Sequence, residues 1–335
     1  MALIYLLVVV AVLGLSILRF LCRPRPVKIP IKDRHVFITG GSSGIGLALA
    51  HRAASAGSRV SILARSVSKL EEAKEDIRNA TGVEVAVYSA DVRNMEAVRS
   101  AIEAAGPIDV LICNQGVYIS GELVDVDMND IKFMLDVNVV GTFHLIKAAL
   151  PKMKEGSGGS DLPKSIGIIS SQAGQIGIYG YAAYSASKFA LRGLAEALQQ
   201  EVISDNIHVS LITPPYTETP GIVEEKKRRP KITNKLAQYS PVMKAEDVAE
   251  KVLNGIESGD FIVSCSFIGH ILSISTAGLS PQRSYIMAFI ELVGISFTRF
   301  VGLCYLWICY GIVAKYQSKH LKNSTSTKVA PKKNA

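Results

Sequence analysis

The chain has 335 residues, 48% of them hydrophobic, and a formal net charge of +8. This excess of positive charge first suggests nucleic acid, but it is concentrated beside apolar stretches near the two ends of the chain. Basic clusters in that position are typical of segments that flank a membrane, so we expect a lipid bilayer as a partner and no nucleic acid. The five cysteines show no zinc-like or paired spacing, which predicts neither a metal site nor a disulfide framework.

The first apolar stretch, residues 1–22, contains one charge, Arg19. It is long enough to cross a bilayer core of about 30 Å. A cleaved signal peptide is the alternative, but no basic residue precedes the apolar run and bulky residues follow it. We therefore expect an uncleaved N-terminal transmembrane anchor. The basic residues after it place the following domain in the cytosol by the positive-inside rule.

Residues 32–265 alternate strand-like apolar runs with helical stretches. The predicted strands are 36–38, 60–63, 85–88, 109–112, 166–170 and 208–212, with a last strand at 261–264. Such alternation is typical of the α/β class, in which a doubly wound parallel sheet carries helices on both faces. We expect one domain of this kind between the two apolar ends.

A glycine-rich turn lies between the first predicted strand and a helix-like stretch. Strand, glycine turn and helix N-terminus in that order form a cradle for a pyrophosphate. A glycine turn without a ligand is the alternative, because short motifs also match by chance. The residues of the turn that we expect to bind a cofactor are Gly40, Ser42, Ser43, Gly44, Ile45 and Gly46.

Tyr184 and Lys188 are four residues apart and therefore share one face of a helix. A phenol beside an ammonium group is a proton donor suited to carbonyl reduction. Either motif alone is weak. Together they indicate a nicotinamide-dependent oxidoreductase.

The two motifs in this order resemble the short-chain dehydrogenase/reductase family, and the resemblance covers roughly residues 32–265. Asn114-Gln115-Gly116 stands where that family usually has Asn-Ala-Gly, and Ser171 lies 13 residues before Tyr184, which is the family spacing. The resemblance implies a Rossmann-like fold. It also implies a catalytic set made of Asn138, Ser171, Tyr184 and Lys188.

The family mechanism assigns a role to each member of the set. A hydride passes to a ketone carbon while Tyr184 protonates the oxygen, and Lys188 lowers the phenol pKa and holds the nicotinamide ribose. Ser171 binds the carbonyl oxygen, and Asn138 anchors a water that supplies protons to Lys188. The neighbouring Ser170 is off the family spacing and should face the other side of its strand.

The residue after the second predicted strand bears on the choice of cofactor. Folds of this type that prefer NAD usually have an acid there, but this chain has Arg65, and no acid appears until Glu71. Arg65 and Lys69, one helical turn apart, offer two cations to a 2′-phosphate, which predicts NADPH. A pair of solvated surface cations is the alternative.

The resemblance implies further contacts with the cofactor. Asp91 would bind the adenine amine, Asn114 would hold the cofactor cleft together, and Thr217 or Thr219 would contact the carboxamide. Tyr184 and Lys188 would also touch the cofactor. Two departures from the family pattern, Gln115 for alanine and Pro215 for glycine, have no role assigned by sequence.

The stretches 170–180, 183–190, 192–199 and 214–221 resemble the family members that reduce a long-chain 3-keto sphingoid base. This implies a step of sphingolipid biosynthesis on the cytosolic face of the endoplasmic reticulum. Composition leaves open another lipophilic carbonyl, such as a steroid, a retinoid or a 3-ketoacyl thioester. It also leaves open a catalytically idle, NADPH-binding membrane scaffold, and it does not determine whether the chain forms a homo-oligomer.

The C-terminal part holds an apolar segment, 266–314, and a basic tail, 315–335. We expect the segment to contact the membrane, as a span or an interfacial helix, although a cap on the domain is the alternative. The tail ends in Lys332-Lys333-Asn334-Ala335, which resembles the dilysine signal read by coat proteins in the cytosol. Two membrane passages between 265 and 314, or none, keep the tail and the domain on one side.

The charged stretch 222–239 stands where the family carries its substrate lid. A solvated loop is the plain interpretation. Near a membrane, its basic residues would instead face lipid phosphates.

Overall fold

A computed structural model describes residues 1–23, 25–155, 162–222, 225, 229–237 and 242–328. Seven parallel strands form one sheet in the order β3-β2-β1-β4-β5-β6-β7. The strands are β1 (His35–Thr39), β2 (Arg59–Ala64), β3 (Ala86–Ser89), β4 (Val110–Cys113), β5 (Lys164–Ile169), β6 (Ile207–Thr213) and β7 (Ile262–Ser264). The predicted doubly wound parallel sheet is confirmed.

Eleven α-helices lie in the described part of the chain. They are α1 (Ala2–Leu21), α2 (Gly44–Ser55), α3 (Val67–Thr81), α4 (Met95–Ala105), α5 (Met128–Leu135), α6 (Gly141–Lys154), α7 (Ala182–Val202), α8 (Lys231–Ala237), α9 (Ala245–Glu257), α10 (Phe267–Ser275) and α11 (Tyr285–Lys328). Two hydrophobic cores cover the two faces of the sheet. One contains buried residues of α2, α3 and α9, and the other contains buried residues of α4, α6 and α7.

The strand order places the functional site. The chain runs outward from β1 to β3 and then returns to β4 on the other side of β1. Loops at the carboxyl ends of β1 and β4 diverge at this switch point and leave a crevice between them, where ligands bind in open α/β sheets. Strands β1, β4, β5 and β6 are buried along their whole length, as expected for a parallel sheet covered on both faces.

The first part of the apolar C-terminal segment packs on the domain. Gln172 and Gln175 donate hydrogen bonds to Ser266 (3.0 Å) and Ser273 (2.9 Å), which belong to the start and the body of α10. Arg192 of α7 donates to the carbonyl oxygen of Ala277 at 2.9 Å. This part of the segment 266–314 therefore forms a cap on the domain, which was the alternative to membrane contact. Helix α10, with nine residues, is also too short to cross a bilayer.

Three helical stretches are long and apolar enough to cross a membrane, namely 4–21, 128–154 and 285–318. The middle stretch is 44% buried and belongs to the nucleotide-binding fold. The other two stretches are mostly exposed, in agreement with membrane contact at both ends of the chain. After residue 265 the described chain offers one helix of sufficient length rather than the two that a double passage requires.

The long helix α11 touches other elements at both ends. Near its start, the Arg19 guanidinium of α1 lies 6.0 Å from the centre of the Tyr285 ring. Farther along, α11 contacts α8. Tyr179, beside α8, has a pKa raised to about 12 by burial, then by Glu122, and to a smaller extent by Tyr316 of α11. Helix α11 therefore contacts the rest of the chain near its start and again, farther along, at α8.

Candidate active site

The glycine turn after β1 is held tightly against the loop that follows β4. Gly40 and Gly44 have φ of +64° and +55°, in the left-handed region that favours glycine. A Cβ on Gly46 would lie 2.2 Å from the Gly40 carbonyl oxygen. The Asn114 side chain donates to the Thr39 carbonyl at 2.9 Å and so joins the two loops, as predicted for the cofactor cleft.

Helix α2 begins in this turn at Gly44, so the N–H groups of its first turn have no partner inside the helix. Ser43 is the N-cap residue, and its hydroxyl does not cap the helix. Ser42 and Ile45 flank it and are partly exposed. An open helix N-terminus that no Cβ obstructs fits the pyrophosphate of a dinucleotide.

Arg65 follows β2 and lies at the same edge of the sheet as Asp91. The pKa of Asp91 is lowered chiefly by the hydrogen bond from Arg93, whose guanidinium lies 2.6 Å from the carboxylate, and to a smaller extent by Arg65. The sequence did not predict this partner for Asp91. Lys69 lies in the first turn of α3, which begins two residues after Arg65.

The two threonines expected at the carboxamide have different surroundings. The Thr217 hydroxyl donates to the Pro215 carbonyl at 2.9 Å, and the residue is buried. Thr219 lies against the glycine turn, since a Cβ on Gly44 would be 2.9 Å from its Cγ2 atom. Thr219 is therefore the better placed of the two to contact a cofactor.

Tyr184 and Lys188 lie one turn apart on α7, as predicted. The Lys188 ammonium is 5.7 Å from the centre of the Tyr184 ring and donates to the Ile169 carbonyl at 2.9 Å. Ser171 follows β5 and hydrogen-bonds the Tyr184 hydroxyl. Three of the four predicted catalytic side chains therefore meet at the carboxyl end of β5.

Burial determines the pKa of both groups. It raises the pKa of Tyr184 to about 12, and the hydrogen bond with Ser171 acts in the opposite direction. It lowers the pKa of Lys188 to about 8. The expectation that Lys188 lowers the phenol pKa is wrong for this structure, because desolvation is the larger effect. Tyr184 is protonated at neutral pH and can donate, whereas Lys188 loses its charge as the pH rises through about 8.

Asn138 lies in a π-helical turn, Asp136–Val140, just before α6. Its side chain accepts from the Val117 N–H and donates to the Val117 carbonyl, both at 2.8 Å. It also donates to the Ser187 hydroxyl at 3.0 Å. The asparagine thus fixes the loop after β4 against Ser187 of α7, immediately before Lys188.

Two other polar side chains, Ser170 and His144, each have a main-chain carbonyl as partner. The Ser170 hydroxyl donates to the Lys188 carbonyl at 3.0 Å. His144 is a packing residue whose Nδ1 atom is 2.8 Å from the Val92 carbonyl. Within the described ranges, the structure has no group of three acidic, histidine or cysteine side chains that could hold a metal ion.

The sequence did not predict a buried ion pair near Tyr184. Glu225 and Arg229, both less than 10% exposed, pair with each other. Tyr181 donates to Glu225 at 2.5 Å, and Arg229 donates to the Tyr216 hydroxyl at 2.8 Å. These two lid charges are neither solvated nor directed at lipid, which corrects that expectation. Lys226, Lys227 and Arg228 lie outside the described residues.

Aromatic rings enclose Tyr184. The ring centres of Tyr118 and Tyr181 are 5.8 and 6.0 Å from that of Tyr184. Tyr181 is the N-cap residue of α7, so its spacing of three residues from Tyr184 was a signal available in the sequence. Tyr118 lies in a loop 66 positions from Tyr184, and its place depends on the tertiary fold. The two rings place largely apolar surface beside the side chain of Tyr184.

Comparisons with known proteins agree with this geometry. Residues 34–230 match the short chain dehydrogenase family. A 3-dehydrosphinganine reductase of Arabidopsis thaliana is 58% identical over 300 residues, which cover 90% of this chain and 91% of the relative. A 3-ketodihydrosphingosine reductase of Bos taurus is 34% identical over 320 residues, covering 92% and 94%. The structure is similar to that of a Sphingobium yanoikuyae short-chain dehydrogenase in complex with NADPH, with a TM-score of 0.62, 24% identity, and coverage of 70% and 88%.

Proposed function

Because the chain belongs to the short-chain dehydrogenase family, we propose that it reduces 3-ketodihydrosphingosine to dihydrosphingosine with NADPH in sphingolipid biosynthesis. The observation that carries this proposal is the 58% identity with a 3-dehydrosphinganine reductase along 90% of the chain. The site supports it, because a dinucleotide cradle and a Ser171–Tyr184–Lys188 group lie at the same end of one sheet.

The reaction needs one proton and one hydride at the ketone. The nicotinamide supplies the hydride when the cofactor is bound. Tyr184, protonated at neutral pH, donates its proton to the ketone oxygen, and Ser171 holds that oxygen by a hydrogen bond. Lys188 carries a proton below a pH of about 8 and is placed one turn from the phenol to restore it. The rings of Tyr118 and Tyr181 limit the access of water to Tyr184.

NADPH is favoured over NADH by the charges at the end of β2. Arg65 occupies the position where an acid would bind a ribose 2′-hydroxyl, and Lys69, four residues later, adds a second cation. A guanidinium binds phosphate through charge-assisted hydrogen bonds, which NADH cannot form at this point.

Purified protein in detergent should oxidise NADPH with 3-ketodihydrosphingosine about tenfold or more faster, in kcat/KM, than with a steroid, a retinal or a 3-ketoacyl thioester. NADH should be a poorer donor, and Arg65→Asp should remove roughly 10- to 100-fold of the NADPH preference. A faster steroid or retinal reaction would replace the proposed substrate. No turnover of any carbonyl, with NADPH bound, would favour the idle scaffold.

For the location, we propose the endoplasmic reticulum membrane, with the catalytic domain on the cytosolic face. Residues 1–22 serve as the anchor, and α11 lies at the membrane surface along the domain instead of crossing. This arrangement agrees with the presence of one long apolar helix after residue 265 in the described chain. It also keeps the tail in the cytosol, where coat proteins would bind Lys332 and Lys333, two residues outside the described ranges. Exposed apolar side chains of α11, such as Phe297, Phe300 and Trp307, would face lipid.

The sequence itself carries two reporters of this topology, because Asn79-Ala80-Thr81 and Asn323-Ser324-Thr325 are both acceptors for N-glycosylation. In translation with microsomes, an acceptor added before Met1 should be glycosylated, whereas Asn79 and Asn323 should stay unmodified. Asn79→Gln and Asn323→Gln identify which site any glycan occupies. A glycan on Asn79 would mean that the domain lies on the lumenal side of the membrane. A glycan on Asn323 alone would mean that α11 crosses the bilayer.

A further inference from the structure

Gln115 stands where the family usually has a small residue, and its side-chain amide is hydrogen-bonded at both ends. The Thr39 hydroxyl, at the end of β1, donates to Oε1 of Gln115 at 2.6 Å. Nε2 of Gln115 donates to the Thr142 hydroxyl of α6 at 2.8 Å. The side chain therefore connects the strand that precedes the glycine turn with the helix that follows Asn138.

The directions of these hydrogen bonds are determined by the neighbouring groups. The Thr39 hydroxyl accepts from the N–H groups of Asn114 (2.9 Å) and Gln115 (3.2 Å), so its own proton is left for an acceptor. Oε1 of Gln115 is nearer to it than its other acceptor, the Ile112 carbonyl at 3.3 Å. The amide of Gln115 is thereby oriented with its nitrogen toward Thr142.

Thr142 completes the chain. Because its hydroxyl accepts from Gln115, its proton points to the Asn138 carbonyl, 2.8 Å away. The protons thus run in one direction through Thr39, Gln115 and Thr142 to the main chain of Asn138. Both Thr142 and Asn138 are at most 1% exposed, so water does not replace a missing bond easily.

We infer that Gln115 is a positioning residue that holds the Asn138 main chain in register with the glycine turn. Asn138 needs such support, because its π-helical turn departs from regular helix bonding and its side chain fixes Ser187, next to Lys188. Misplacing this asparagine displaces the lysine that restores the proton of Tyr184. The inference rests on the proposed function, since it concerns the same proton path.

The first test compares Gln115→Ala with Gln115→Glu. Alanine removes both bonds. Glutamate keeps the shape but, as a carboxylate, cannot donate to Thr142, whose proton then turns away from Asn138. Both variants should lower kcat for the keto sphingoid base by about 10- to 100-fold, while the Kd for NADPH, measured by fluorescence titration, changes little. Full turnover in Gln115→Glu would overturn the inference, because shape alone would then suffice.

The second test asks whether the bonds act as one unit. Thr142→Val breaks the chain at its other end with little change in volume, and Gln115→Ala combined with Thr142→Val should lose no more turnover than either single variant. If the loss of turnover in the double variant equalled the product of the two single losses, the two side chains would act independently, which would contradict the inference. A weakened Kd for NADPH with unchanged kcat would also contradict it, since that result would place the effect of Gln115 on cofactor binding.

Hydrogen exchange separates this inference from the proposed function. Amides of residues 136–142 should exchange faster in Gln115→Ala, Gln115→Glu and Thr142→Val than in the wild type, in the full-length protein without substrate. Unchanged exchange would overturn the positioning role whatever the substrate is. Faster exchange in a protein whose wild type does not reduce the keto sphingoid base would count against the proposed substrate alone.

Discussion

Tyr184→Phe should lower the turnover of ketone reduction by about two to four orders of magnitude. The change removes the one hydroxyl that is hydrogen-bonded to Ser171 and lies within a helical turn of Lys188. The ring still packs between Tyr118 and Tyr181, so the pocket keeps its shape. Single-turnover kinetics with NADPH would measure the loss, and titration of NADPH fluorescence should give a Kd close to that of the wild type.

Tyr88→Phe is the matched control. It removes the same hydroxyl from a tyrosine that stacks on Phe37, with ring centres 5.8 Å apart, on strand β3. Its turnover should equal that of the wild type. A folded Tyr184→Phe protein with near-normal turnover would exclude Tyr184 as the proton donor.

Gly46→Ala should weaken NADPH binding by about 100-fold or more. The added Cβ would lie 2.2 Å from the Gly40 carbonyl oxygen and 2.5 Å from Nδ2 of Asn114. The first contact is with backbone, which cannot rotate aside, so the glycine turn has to leave its position. A displaced turn loses the N–H groups that face the pyrophosphate. Isothermal titration with NADPH measures the effect.

Gly193→Ala provides the comparison for this second variant. Gly193 lies on the exposed side of α7, and a Cβ there meets nothing within 4 Å. Alanine at this position should keep NADPH binding and raise the free energy of unfolding by about 1 kcal/mol, because glycine is a poor helix former. If Gly46→Ala bound NADPH as well as Gly193→Ala does, the glycine turn would not be the cofactor cradle.

Much of the fold was predictable because parallel sheets have a strong sequence signature. Strands buried on both faces read as continuous apolar runs, and the runs at 36–38 and 109–112 correspond to β1 and β4 within two residues. The glycine turn and the pairing of Tyr184 with Lys188 were predictable for a similar reason. Each depends on local spacing along one strand end or one helix face.

Contacts between distant segments were not predictable in this way. Glu225 is buried against Tyr181, 44 positions away in the chain, although it belongs to a charged stretch that looks solvated in sequence. The pKa of Tyr184 is another example, since burial raises it more than the hydrogen bond with Ser171 lowers it. Burial depends on how segments that are far apart in the chain pack together, and no spacing rule reports it.

Gln115 shows how a departure from a family pattern acquires meaning from structure. In the sequence it was only a glutamine in place of the usual alanine between Asn114 and Gly116. In the fold its side chain forms hydrogen bonds with Thr39 and Thr142, which are 103 positions apart in the chain. Only the packing of β1, β4 and α6 brings these partners within reach of one side chain.

The central claim is that this site transfers a hydride from NADPH to the C3 carbonyl of a keto sphingoid base. The most direct measurement uses NADPH that carries deuterium at both positions of C4 of the nicotinamide, with 3-ketodihydrosphingosine in detergent and mass spectrometry of the product. Dihydrosphingosine should carry one deuterium, located at C3, and Tyr184→Phe should form it far more slowly. Dihydrosphingosine without deuterium, or no product from a protein that binds NADPH, would contradict the claim.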